Sequence, residues 1–139
     1  MKVKDRMTED VVAVEADWPI KKAWQIMREQ KLRHLPVLKN GELVGIITDR
    51  DLRLYATASA VLLSEKKYHD FLMETVPINQ AMTKYPKTVT PDTDLRDAAK
   101  LILELKVGSL PVVQGNRLVG IIAETDLVRT LIDILPPDC

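Results

Sequence analysis

Apolar positions along this chain switch between two periods, and the switches come in the same order twice. Val11-Val12-Ala13-Val14 is a short β-branched run that reads as a strand. Ile20, Ala23, Trp24 and Met27 then fall at i, i+3, i+4 and i+7, the spacing of one helical face. Asp17 is placed to cap that helix, with Pro19 in its first turn. Leu35-Pro36-Val37-Leu38 and Leu43-Val44-Gly45-Ile46-Ile47 are continuous apolar runs of strand length, and Asn40-Gly41 between them marks a hairpin. Asp51-Leu52 opens a closing helix.

The series then returns. Asp92 and Thr93 offer the cap, Leu95, Ala98, Ala99 and Ile102 form the helical face, and Gly115-Asn116 makes the turn. Leu127 to Leu135 closes the series before Pro136-Pro137, and Pro86 stands where Val11 does, which suits a short edge strand. At one ungapped offset of 75, residues 7–52 match residues 82–127 at 17 of 46 positions. Roughly three matches are expected by chance. Met7-Thr8 recurs as Met82-Thr83, and Leu35-Pro36-Val37 as Leu110-Pro111-Val112. Leu43–Ile47 recurs as Leu118–Ile122, and Asp51-Leu52 as Asp126-Leu127.

A repeat of this kind predicts an α/β (α+β) fold with two copies of strand, helix, strand, strand, helix. Each copy is about 50–60 residues, too small to bury a comfortable core alone, so the copies are expected to share one. The expected divisions are copy one at 1–62, a helical linker at 63–78 and copy two at 79–139. Between the copies, Leu54, Ala58, Val61 and Leu62 suggest a long helix, and Tyr68-Phe71-Leu72 begins another. That segment reads either as a linker packed on its own domain or as an interface for a second subunit.

Composition narrows the function. In 139 residues, 46% hydrophobic and 29% charged, 20 basic side chains balance 20 acidic ones with no long charge run. A nucleic-acid or membrane-surface partner is therefore not indicated, and Lys66-Lys67 reads as solvated surface. Apolar runs of about five residues fall far short of a membrane helix. The start of the chain has no signal-peptide pattern. A cytoplasmic protein is expected. The single cysteine, Cys139, permits no intrachain disulfide, and no folded metal site is expected. His34 and His69 form no Cys-His or Ser-His-Asp set, and Ser59 and Ser64 lack a nucleophile-elbow context. Five glycines include no phosphate-loop motif. Asp49 and Asp51, at i and i+2 around a strand end, are expected to diverge. The chain is not expected to be an enzyme.

The ordered set from Met7-Thr8 through Leu35-Pro36-Val37 to Gly45-Ile46-Ile47-Thr48-Asp49-Arg50-Asp51 resembles a cystathionine-beta-synthase (CBS) motif. The set from Met82-Thr83 to Gly120-Ile121-Ile122-Ala123-Glu124-Thr125-Asp126 is similar throughout. Together they resemble a CBS pair, or Bateman module, over roughly residues 5–135: two small sheets with flanking helices about a pseudo-twofold axis. Thr48–Leu52 and Leu127–Thr130 also resemble the CBS part of acetoin-utilisation-type proteins, without their ACT domain. The resemblance implies a regulatory module binding an adenosine-containing ligand in clefts between the sheets, with no obligatory cofactor.

In such a site a carboxylate accepts hydrogen bonds from ribose hydroxyls, apolar surface holds the base, and hydroxyl or cationic groups take phosphate. The family pattern puts Thr48 at phosphate or ribose and Asp51 at ribose, although Asp51 at a strand-to-helix junction is also placed simply to cap its helix. Arg33 and His34 stand where family members often place phosphate-binding cations. The second half-site keeps Asp126, but Ala123 replaces the hydroxyl of Thr48 and Gly108-Ser109 replace Arg33-His34. Val12 and Lys87 are the equivalent candidates to lie against the base, with Lys87 otherwise a phosphate contact or an edge lysine that blocks strand pairing. The expected ligand is AMP, ADP or ATP, sensed on behalf of an unidentified effector protein. A homodimer packed through helices 17–30 and 92–105 is expected with it. The alternatives are a ligand-free dimerisation scaffold and an S-adenosylmethionine sensor, the second disfavoured by the like charge of Arg33 and His34.

Overall fold

The computed structural model describes residues 1–62 and 66–138, and side chains outside 56–69. The expected contributions of Ala58, Val61, Leu62 and Tyr68, and Ser59, Ser64, His69 and Cys139, lie outside the described residues or side chains. The chain forms two compact units. One is Val12–Pro86; the other joins Met1–Val11 to the chain from Lys87 onward.

The unit Val12–Pro86 runs β1 (Val14–Glu15), α1 (Ile20–Gln30), β2 (His34–Lys39), β3 (Glu42–Thr48), α2 (Asp49–Leu62), α3 (Lys66–Thr75), α4 (Ile78–Ala81) and β4 (Thr83–Lys84). Its sheet has the order β1-β2-β3-β4, with β1 parallel to β2 and the other pairs antiparallel. Asn40 (φ 52°) and Gly41 (φ 80°) both take the left-handed region that a tight β2–β3 turn requires. The helical period of α1 delivers Ile20, Ala23 and Met27 to a core with Leu35, Val37, Ile47, Leu52 and Ile78. Each of the larger side chains contributes about 1.5–3 kcal/mol by leaving water.

The second unit runs α5 (Leu95–Leu105), β5 (Ser109–Gln114), β6 (Arg117–Ala123) and α6 (Glu124–Ile134). β5 and β6 pair antiparallel, and Val3, Val89, Leu95, Ala98, Ile102, Leu110, Val112 and Ile122 form the core. The expected leading strand of copy two shrinks to one bridge, Val89 to Val112, and Pro86 is not in a strand. Only Val14 of the expected run Val11–Val14 is in β1.

Two expected caps are corrected. Asp17 does not cap α1; the helix starts after Pro19, and the Ile20 N–H donates instead to the Val76 carbonyl at 2.9 Å. Backbone supplied from a distant segment replaces the side-chain cap. In α5 the cap is Asp94, accepting from the Arg96 N–H at 2.8 Å, while the Thr93 hydroxyl accepts from Thr90 N–H.

The repeats and the units divide the chain differently, because each repeat gives its first eight or so residues to the other. Residues 76–83 serve the unit Val12–Pro86: Ile78 is fully buried there, and Thr83 pairs with Ile46. Residues 1–8 do the same in the other unit, where Val3 is fully buried and Thr8 bridges Ile121. Two glycines admit these straps. A Cβ on Gly45 would overlap the Met82 sulfur and lie 2.9 Å from the Thr83 carbonyl oxygen. A Cβ on Gly120 would lie 2.8 Å from the Met7 sulfur and 3.0 Å from the Thr8 oxygen.

The outward face of α1 is polar: Lys21, Lys22, Gln25, Arg28 and Glu29 are exposed. α6 differs. Val128, Leu131, Ile132 and, just beyond the helix, Leu135 fall at i, i+3, i+4 and i+7 and are all more than half exposed.

Candidate functional site

Antiparallel pairing of β2 with β3 sets His34 opposite Thr48, so the start of one strand meets the end of the other. The chain then turns directly into α2, with the Asp49 N–H donating to the Arg33 carbonyl at 3.0 Å. Thr48 and Asp51 form a reciprocal capping box. The Asp51 N–H donates to the Thr48 hydroxyl oxygen at 3.2 Å. Asp51 Oδ2 accepts from the Thr48 N–H at 2.9 Å and from its hydroxyl at 3.1 Å. Asp51 Oδ1 accepts no hydrogen bond from the described residues. Asp51 therefore caps its helix with one oxygen while the other stays available on a half-buried carboxylate.

Cations gather around this corner. Asp49 Oδ2 lies 3.5 Å from Arg53 Nη2 and 3.7 Å from Arg33 Nε. The Arg33 side chain is 77% exposed, so these ion pairs add little stability and leave the guanidinium groups accessible. Arg53 is not among the residues the sequence singles out, though its i, i+4 spacing from Asp49 at a helix start is a usable signal.

Arg33, His34, Thr48 and Asp51 are thus brought together. Val12 belongs to the same unit, half-buried against its core. Lys87 and Asp126 belong to the other unit, where Lys87 is exposed.

The Asp126 corner has the same frame with different partners. The Glu124 N–H donates to the Gly108 carbonyl at 3.0 Å, and Asp126 Oδ2 accepts from the Ala123 N–H at 2.8 Å. Ala123 has no hydroxyl to complete the box. Asp126 Oδ1 instead takes the Thr8 hydroxyl at 3.3 Å and Arg129 Nη1 at 3.4 Å. Ser109, in the place of His34, is buried and its hydroxyl has no hydrogen-bond partner among the described residues. Among the described residues no cluster of three or more metal-ligating side chains occurs, and no helix is long and apolar enough to cross a membrane.

Two α/β units, each closed by a strap from the other's repeat and each turning a hairpin into a carboxylate-capped helix, define a tandem-repeat module. The family model of the CBS domain matches residues 3–57 and 78–133, and the chain belongs to that family. Among solved structures it is similar to a protein assigned to acetoin utilization (AcuB) from Vibrio cholerae. That match has 32% identity and a TM-score of 0.79, covering 96% of this chain and 92% of that one. CBSX2, solved in complex with AMP, is 31% identical at a TM-score of 0.79, with 96% and 97% covered. The CBS domain pair of protein MJ0100, solved with 5′-methylthioadenosine and S-adenosyl-L-methionine, is 26% identical at 0.77, with 96% and 97% covered.

Proposed function

We propose that this chain is a regulatory sensor that binds an adenine nucleotide at the Thr48–Asp51 corner and passes the signal to a partner protein. The observation that carries the reading is the open Oδ1 of Asp51, beside Thr48, His34 and accessible arginines. A carboxylate oxygen with both lone pairs available suits a pair of ribose hydroxyls, and guanidinium groups one step away suit phosphate. Val12 offers apolar surface in the same unit. The AMP bound by CBSX2 and the adenosyl ligands bound by the MJ0100 pair support the ligand class. Arg33 and Arg53 favour a phosphate-bearing ligand over a sulfonium, whose positive charge they repel.

Calorimetric titration with AMP, ADP, ATP and S-adenosylmethionine tests this directly. Micromolar binding of a nucleotide, weakened by salt and lost in Asp51→Ala, is the expected result. Tighter binding of S-adenosylmethionine, or nucleotide binding indifferent to Asp51→Ala, overturns the assignment.

A second reading, a dimerising scaffold without ligand, is favoured by the exposed row Val128, Leu131, Ile132 and Leu135 on and just after α6. Light scattering of the ligand-free protein separates the two: a dimer that binds none of the four ligands selects the scaffold. A dimer is compatible with the sensor as well, and Leu131→Glu is expected to dissociate it.

A further inference from the structure

The two strand-to-helix corners share a frame and differ in where their carboxylates are committed. Asp51 keeps Oδ1 open. Asp126, only 6% exposed, has both oxygens engaged: Oδ2 by the Ala123 N–H, and Oδ1 by the Thr8 hydroxyl and Arg129.

The Thr8 hydroxyl comes from a residue 118 positions away. It ends a strap that is fastened along its whole length. The Leu95 N–H donates to the Met1 carbonyl, and Val3 and Lys4 N–H groups donate to Thr93 and Pro91. Lys2 and Lys4 pair with Asp92, Arg6 pairs with Asp133, and the Thr8 and Ile121 backbones exchange bonds of 2.9 and 3.0 Å. The equivalent strap in the other unit ends on Thr83, which makes no such bond to Asp51, and the position matching Arg129 is Leu54. Thr8 and Arg129 are therefore specific to the second corner.

We propose that Asp126 is the anchor of the strap 1–8 and that this anchoring closes the second corner to ligand, leaving one ligand per chain. A ribose hydroxyl arriving at Asp126 would replace a donor already in place, exchanging one hydrogen bond for another with no net gain. Displacing Arg129 as well would leave a buried carboxylate without its counter-charge. The first corner imposes neither cost. The anchoring role stands independently of the nucleotide reading; the stoichiometry rests on it.

Amide hydrogen exchange on the full chain tests the anchor. Asp126→Asn and Thr8→Val are expected to speed exchange at Thr8 and Ile121 by about tenfold, roughly the loss of a hydrogen bond to a charged group. Leu110 and Val112 amides should move far less, and Asp51→Asn should leave the strap unchanged. Unchanged exchange at Thr8, or equal acceleration at all four amides, overturns the anchor. Titration with AMP and ATP is expected to give one site per chain in both wild type and Asp126→Asn. Two sites, or a site lost in Asp126→Asn, overturns the closure. If neither nucleotide binds wild type, the nucleotide reading and the stoichiometry fall together, and the exchange result alone decides the anchor.

Discussion

Replacing Gly45 by alanine places a methyl group against the strap 76–83, and its cost can be worked out from what that methyl meets. The new Cβ overlaps the Met82 sulfur, lies 3.0 Å from Met82 Cγ and 2.9 Å from the Thr83 carbonyl oxygen. A methionine side chain is flexible and can turn aside. The carbonyl cannot move as cheaply, because Lys84 and Thr83 are paired with Gly45 and Ile46 in the β3–β4 ladder. Overpacking of this kind costs about 1–3 kcal/mol. Met82→Ala should recover the part due to the thioether and leave the part due to the carbonyl, giving a coupling of about 0.5–1.5 kcal/mol in a double-mutant cycle. Urea unfolding followed by tryptophan fluorescence is the assay, since both tryptophans, Trp18 and Trp24, lie in the unit Val12–Pro86. Gly120→Ala should couple in the same way to Met7→Ala, read by circular dichroism. Coupling of Gly45 to Met7 rather than Met82, or a cost below about 0.5 kcal/mol, would refute the strap exchange.

Other consequences are simpler to test. Ser109→Ala removes a buried hydroxyl without a partner, so thermal stability should hold or rise by about 1 kcal/mol; a clear fall would show that the hydroxyl is bonded in solution. Thr48→Ala turns the first box into the Ala123 arrangement and should cost about 0.5–2 kcal/mol in denaturant unfolding, with Thr48→Ser nearly neutral. The hydrogen bond from Lys4, with the charges of Lys2 and Lys4, holds the Asp92 carboxyl below its ordinary pKa. Its small contribution is therefore complete above the ordinary aspartate range and disappears as pH falls through the lowered value. Melting temperatures of wild type and Asp92→Asn should differ slightly at neutral pH and converge in strong acid.

Local signals in the sequence carried far. The 3.6-residue spacing of Ile20, Ala23 and Met27 found the buried face of α1, and Asn40-Gly41 found its hairpin, because both depend on residues close in sequence. Asp51 was legible as a cap for the same reason, at a strand-to-helix junction, whereas Thr48 entered through the family pattern and its part in the box is seen only in the fold. What escaped depends on residues far apart. Asp17 was a good cap on paper, but backbone from Val76 made it unnecessary. Nothing in the identical Met7-Thr8 and Met82-Thr83 pairs indicates that each covers the other repeat's glycine. The fate of Asp126 was hidden too, since Thr8 lies 118 positions away.

The exchanged straps also set an order of events during synthesis. The unit Val12–Pro86 is continuous, so its core can close once residue 86 has left the ribosome. The other unit has its opening segment made before Val12–Pro86 and its body made after it. Val3, with no exposed surface in the finished fold, must wait for Ile102, Leu110 and Ile122 while the whole of the other unit is made and folded. Closing a loop of that length adds little equilibrium cost, since the entropy grows only with the logarithm of length. It adds time, during which an apolar strap and a strapless β5–β6 hairpin both stand open to wrong partners.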